Sequence, residues 1–122
     1  MKPLLLVGIG GALGSICRYL MQVGVSKYIT ITFPLGTFLI NVIGCFVIGL
    51  LYALSAKYVW LTVEWRLFLI TGICGGYTTF SSFSYESILL FRQGSLLYFF
   101  MYVLGSVTLG LLATVLGSVV VK

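Results

Sequence analysis

Four groups of residues in this sequence could do chemistry, and all are set in apolar surroundings. Asn41 interrupts the run Leu39-Ile40-Asn41-Val42-Ile43. Its carboxamide can bond across a helix interface, or its NH₂ can donate to a passing anion. The segment Gly72-Ile73-Cys74-Gly75-Gly76-Tyr77-Thr78-Thr79-Phe80-Ser81-Ser82-Phe83-Ser84 holds a glycine pair and then five hydroxyl residues in seven positions. Adjacent glycines weaken a helix, and Ser and Thr compete for its backbone bonds. Carbonyls freed at such a break bind cations, and freed amides bind anions. Phe80 and Phe83 share a helix face at i and i+3. An aromatic ring has a positive edge, so rings presented edge-on stabilise a small anion without a full charge that would trap it. Tyr102, Ser106, Gly110 and Thr114 recur at a spacing of four. They make either a polar track for a dehydrating ion or a contact stripe of small residues.

No catalytic constellation accompanies these groups. The chain has no His and no Asp, and its acids are Glu64 and Glu86. No acid–base pair, nucleophile–base pair or phosphate-binding loop can be assembled. Cys17, Cys45 and Cys74 lie singly in apolar blocks, so they read as small apolar residues rather than as a disulfide framework or a zinc site. Arg18 is a candidate for raising the anion concentration at a pore mouth, and Glu86 for neutralising an arginine.

The elements that must position these residues follow from composition. Of 122 residues, 61% are hydrophobic and 7% charged. That is too little charge to coat a soluble globule and too much apolar surface for a disordered chain. An all-α integral membrane protein remains, small enough to need a partner copy. A bilayer core needs roughly 20 apolar residues of helix. Four stretches fit, at about 4–25, 35–54, 65–91 and 96–121, within a single transmembrane domain spanning 1–122. The third is expected to break mid-membrane, where irregular backbone must be buried in protein or line a cavity. The first continues too far to be a cleaved signal peptide. Pro34 precedes a helix start, and Arg92-Gln93-Gly94-Ser95 is a tight turn.

Net charge is +5, but the basic residues are scattered singly, which excludes a nucleic-acid-binding stripe. Four spans put Lys2, Lys57, Arg66 and Lys122 on one side. Lys27 and Arg92 fall on the other, with Arg18 if it snorkels there. So weak a bias leaves room for insertion in both orientations.

Gly10-Gly11, Gly14 and Arg18, then Pro34-Leu35-Gly36-Thr37 leading to Asn41, then the string from Gly72 to Ser84 with Glu86, together resemble the Fluc (CrcB) family of fluoride channels. The resemblance spans the whole chain. It implies an antiparallel dual-topology homodimer with two pores in a plasma membrane, the bacterial inner membrane. It implies that Asn41 donates to fluoride and that Phe80 and Phe83 line its path by their edges. Ser81 and Ser82 are further pore positions, Tyr102, Ser106 and Thr114 form the track, and Arg18 borders a vestibule. It also implies that the carbonyls of Gly75 and Thr78 from both copies hold one structural Na⁺. Gly110, Ser82 and Tyr77 depart from the family's frequent residues; Gly110 weakens the case for a continuous track.

Two other functions fit the size. A small multidrug-type proton-coupled exporter needs a membrane-embedded carboxylate in its first helix, and that helix has none. A non-transporting accessory subunit would use the small residues only for packing, leaving the Gly/Thr/Ser/Phe segment otherwise unexplained.

Overall fold

The computed structural model describes residues 1–121; Lys122, counted above among the positive residues, lies outside them. Among the described residues all regular structure is helical. Three helices are long and apolar enough to cross a membrane: α1 (Lys2–Tyr28), α2 (Leu35–Lys57) and α6 (Leu96–Val120). Between α2 and α6 the chain makes one further passage in pieces. These are α3 (Val63–Arg66), a π-helical run (Leu67–Cys74), α4 (Gly75–Tyr77) and α5 (Phe80–Arg92).

The ends carry ordinary signals. Pro3 sits in the first turn of α1, where its missing N–H costs nothing. Lys27 and Lys57 close α1 and α2, so each helix runs about three residues past the apolar block. A cation there is favoured by the helix dipole. Beyond α5, Gly94 takes φ +79°. The Ser95 N–H then bonds the Leu90 carbonyl at 3.0 Å, closing the helix end.

The break falls two residues later than the glycine pair. Gly75 is helical (φ −62°, ψ −37°), whereas Thr78 and Thr79 are extended (ψ 158° and 120°). The glycines serve close approach instead. A Cβ on Gly76 would meet the Gly11 carbonyl at 2.5 Å, and one on Gly72 would meet the Gly10 Cα at 2.9 Å. Gly14 in turn lies against the Ile73 carbonyl. α1 therefore touches the third passage backbone to backbone, as small residues permit in membranes. α2 and α6 pair in the same way, with Gly49 against the Thr114 carbonyl and Gly117 against that of Phe46.

The π-helical run was not expected from the sequence. It brings the Gly75 N–H onto the carbonyl of Ile70, five residues back. It ends directly before α4 and the break, so the irregular backbone extends over much of the passage's centre.

Candidate functional site

The extended Thr78-Thr79 step is held from α2. Asn41 Nδ2 donates to the Thr79 carbonyl at 2.9 Å, and Asn41 Oδ1 accepts the Thr79 N–H at 2.9 Å. One carboxamide thus pairs with both backbone groups of the extended residue that opens α5. Nδ2 carries two hydrogens, and this pairing leaves one of them. Gly44, one turn along α2, makes room for the Thr78 methyl. Thr79 also caps α5, its Oγ1 accepting the Ser82 N–H at 3.2 Å. The amides of Phe80 and Ser81, at the positive end of that helix, have no acceptor among the described residues.

Against this step lies an open groove of about 310 Å³. Asn41, Thr79, Phe80, Phe83 and Ser106 line it, and no charged residue does. The Ser106 hydroxyl is buried and is the one such side-chain atom without a hydrogen-bond partner among the described residues. An orphaned buried donor is costly unless something completes it. The rings of Phe80 and Phe83 stand 5.8 Å apart and inclined at 44°, and Phe83 is 5.1 Å from Tyr102. Phe80 is 78% exposed and also walls a second groove with Ser81 and Ser84.

A polar chain crosses the bundle beyond Phe83. Gln22 Nε2 donates to Thr37 Oγ1 at 2.8 Å, and Thr37 donates to Glu86 Oε2 at 3.1 Å. The fully buried Tyr102 donates to Glu86 Oε1 at 2.9 Å. Glu86 is therefore held by two hydroxyls, not by an arginine. Gln22, Thr37 and Glu86 also border a polar cavity of about 180 Å³ where α1 ends and α2 begins. Tyr102 and Phe83 stand between that cavity and the groove.

Arg18 neither snorkels to a helix end nor stands free: its Nε donates to the Gly76 carbonyl at 3.1 Å. That places the guanidinium on the negative end of the first half of the third passage. The Cys74 carbonyl is likewise occupied, by the N–H and the hydroxyl of Thr78, each at 3.0 Å. The carbonyls of Gly75, Tyr77 and Thr78 have no donor among the described residues. Neutral carbonyl oxygens of this kind suit a hard monovalent cation, so the expected Na⁺ ligands fit in type.

The structure thus brings Asn41, Phe80, Phe83, Ser106 and Tyr102 together and sets Ser81 and Ser82 on the first turn of α5. Thr114 stands apart. Its hydroxyl donates to the Gly110 carbonyl of its own helix at 3.0 Å, and its backbone is covered by Gly49. The stripe on α6 therefore splits: Ser106 borders the groove and Tyr102 joins Glu86, whereas Gly110 and Thr114 pack against α2. In the sequence Thr79 and Thr37 figure only as parts of motifs, and neither they nor Gln22 are given a role at the site. Polar residues inside apolar spans, such as Gln22 and Thr37, were the available signal.

The sequence model of the family described as CrcB-like protein, Camphor Resistance (CrcB), matches residues 5–118. The chain belongs to the CrcB family. Among curated relatives, one from Phocaeicola vulgatus named Fluoride-specific ion channel FluC is 45% identical over 117 residues, 96% of each chain. A second of the same name, from Flavobacterium psychrophilum, is 44% identical over all of this chain and 98% of its own. A third, from Agrobacterium fabrum, is 44% identical over 92% of this CrcB chain and 90% of its own.

Proposed function

We propose that this chain is a fluoride-selective passive ion channel, not an enzyme, that lets cytoplasmic fluoride leave the cell and so protects against its toxicity. The observation that carries the proposal is the groove beside the helix break. Its lining is neutral, and Asn41 with one N–H to spare, Ser106 and the two phenylalanine rings border one space, the unpartnered Ser106 hydroxyl lying buried at its wall. The relatives' printed name agrees with it.

Fluoride is small and strongly hydrated. A path for it must replace water with donors and positive ring edges, yet hold the ion weakly enough to release it. Neutral groups meet both demands. Fluoride enters from acid surroundings as HF, dissociates inside, and is driven out by the membrane potential. The carboxylate of Glu86 would repel an anion, but its charge is already engaged by Thr37 and Tyr102.

In this reading the third passage is a fourth membrane span, and the chain forms one transmembrane domain. Two copies pair antiparallel in the bacterial inner membrane, giving two pores. Phe80, largely exposed on one chain, is then covered by the partner. The carbonyls of Gly75 and Thr78 of both copies hold a structural Na⁺ at the centre. Ser81 and Ser82 complete the pore lining, and Arg18 borders the vestibule; Thr114, expected there, packs against α2 instead.

The test is efflux from liposomes containing only the purified protein, followed with fluoride and chloride electrodes in parallel. Rapid fluoride release with negligible chloride release is expected. No fluoride release from folded protein, or equal release of both ions, would overturn the proposal.

A further inference from the structure

A third groove, of about 380 Å³, lies far from the helix break, between the N-terminal ends of α1 and α3. Its origin is geometric. α1 and the third passage run parallel and touch through Gly10 and Gly72. One turn nearer their starts the glycines end, and the side chains of Leu6, Trp65 and Phe68 line the space between the two elements. The walls are therefore apolar, with Trp65 edge-on to Phe68 at 6.4 Å. The mouth is charged. Lys2 from α1 and Glu64 from α3 form an ion pair across it, and Thr62 adds a hydroxyl.

This groove belongs to the lipid-facing surface. Leu4, Leu5 and Ile9, on the same end of α1, are all more than half exposed. Tyr58, Trp60 and Trp65 cluster at this end, in the manner of an interfacial aromatic belt. The charges at the mouth remain accessible, with side chains 73% and 54% exposed. So exposed an ion pair is weak enough for a zwitterionic headgroup to insert between its members. The ligand that uses the whole groove carries an apolar chain for the walls, a negative group for Lys2 and a positive, hydrogen-donating group for Glu64. An anionic lipid leaves Glu64 repelled. A quaternary ammonium headgroup cannot donate to the carboxylate.

We propose that this groove binds one phospholipid with a primary ammonium headgroup. Its phosphate meets Lys2, its ammonium meets Glu64, and one acyl chain lies along Leu6, Trp65 and Phe68. The site is independent of ion conduction.

Trp65 is one of two tryptophans, so a Trp60→Phe background makes it the sole indole reporter. This protein would be reconstituted in phosphatidylcholine vesicles containing increasing fractions of brominated phosphatidylethanolamine, phosphatidylcholine or phosphatidylglycerol. Half-maximal quenching of Trp65 is expected at about a three- to fivefold lower fraction for the ethanolamine lipid than for the choline lipid, the size of one exposed charge contact. Glu64→Gln should erase that difference, and Lys2→Gln should weaken both zwitterionic lipids. Identical curves for the two lipids in the unsubstituted groove would mean ordinary annular lipid and overturn the proposal. A steeper curve for phosphatidylglycerol would reassign the groove to anionic lipid. No quenching by any lipid would mean that protein, such as a second copy, covers it.

Discussion

Ser106 and Asn41 are both polar residues at the same groove, yet they differ in what the fold asks of them. Ser106 Oγ has no partner, so Ser106→Ala removes a buried unsatisfied group. Stability should be unchanged or rise by up to about 1 kcal/mol, while fluoride efflux falls. Thermal melting and liposome efflux on one preparation separate the two effects; unaltered efflux would remove Ser106 from the path. Asn41→Asp behaves oppositely. The new carboxylate still accepts the Thr79 N–H but sets an oxygen against the Thr79 carbonyl. A loss of about 1–3 kcal/mol is expected together with the loss of flux. Phe80→Ile probes the ring itself. The side chain is 78% exposed within one chain, so the fold should survive, but the positive edge is gone and transport should be abolished. Unchanged efflux in that variant would count against anion stabilisation by ring edges. The polar residues of this site were legible in the sequence because a bilayer makes each of them expensive. Their pairings were not, since Gln22, Thr37, Glu86 and Tyr102 come from four different helices.

At the scale of elements, the long apolar helices could be read from hydropathy alone, and the broken passage from its glycines and hydroxyls. The position of the break could not. β-Branched Thr78 and Thr79 take the extended conformation that suits them. The glycines stay helical because the α1 backbone occupies the space that side chains would need. Local propensity gives no sign of that neighbour. The π-helical run was hidden for a similar reason, as its residues are as apolar as those of any membrane helix. The distinction between packing and conformational glycines makes a prediction. Gly14→Ala pushes a methyl group into the Ile73 carbonyl and within 2.8 Å of the Tyr77 amide nitrogen. Backbone cannot move aside cheaply, so a loss of about 1–3 kcal/mol is expected. Gly24 is on the same helix with nothing within 4 Å. Gly24→Ala should be neutral or stabilising by up to about 1 kcal/mol. Thermal melting of the two variants in detergent tests this, and equal effects would mean that α1 does not rest on the third passage as described.

For the whole molecule, the arrangement of charge bears on how copies pair. Lys2 and Lys57 lie at the end that holds Met1 and Val121, Lys2 paired with Glu64 and Lys57 donating to the Val121 carbonyl. Lys27 closes α1 and Arg92 closes α5 at the other end. Arg18 is tied to the Gly76 carbonyl inside the bundle and counts toward neither. The proposed antiparallel pair would require chains in both orientations, which the weak bias would have to allow. Lys27→Gln with Arg92→Gln removes the positive residues that close helices at that other end, and every chain should then insert with the Lys2 end in the cytoplasm. Each chain would still fold, but no antiparallel partner would exist and fluoride efflux from cells should be lost. A second chain carrying Lys57→Gln, Arg66→Gln, Gln93→Lys and Ser95→Lys has the opposite bias. It too should be silent alone, and co-expression of the two should restore efflux. The control is a pair of identical biased chains, which should stay silent at any expression level. Full efflux from either biased chain by itself would mean that one orientation suffices, and the paired-copy architecture would have to be abandoned.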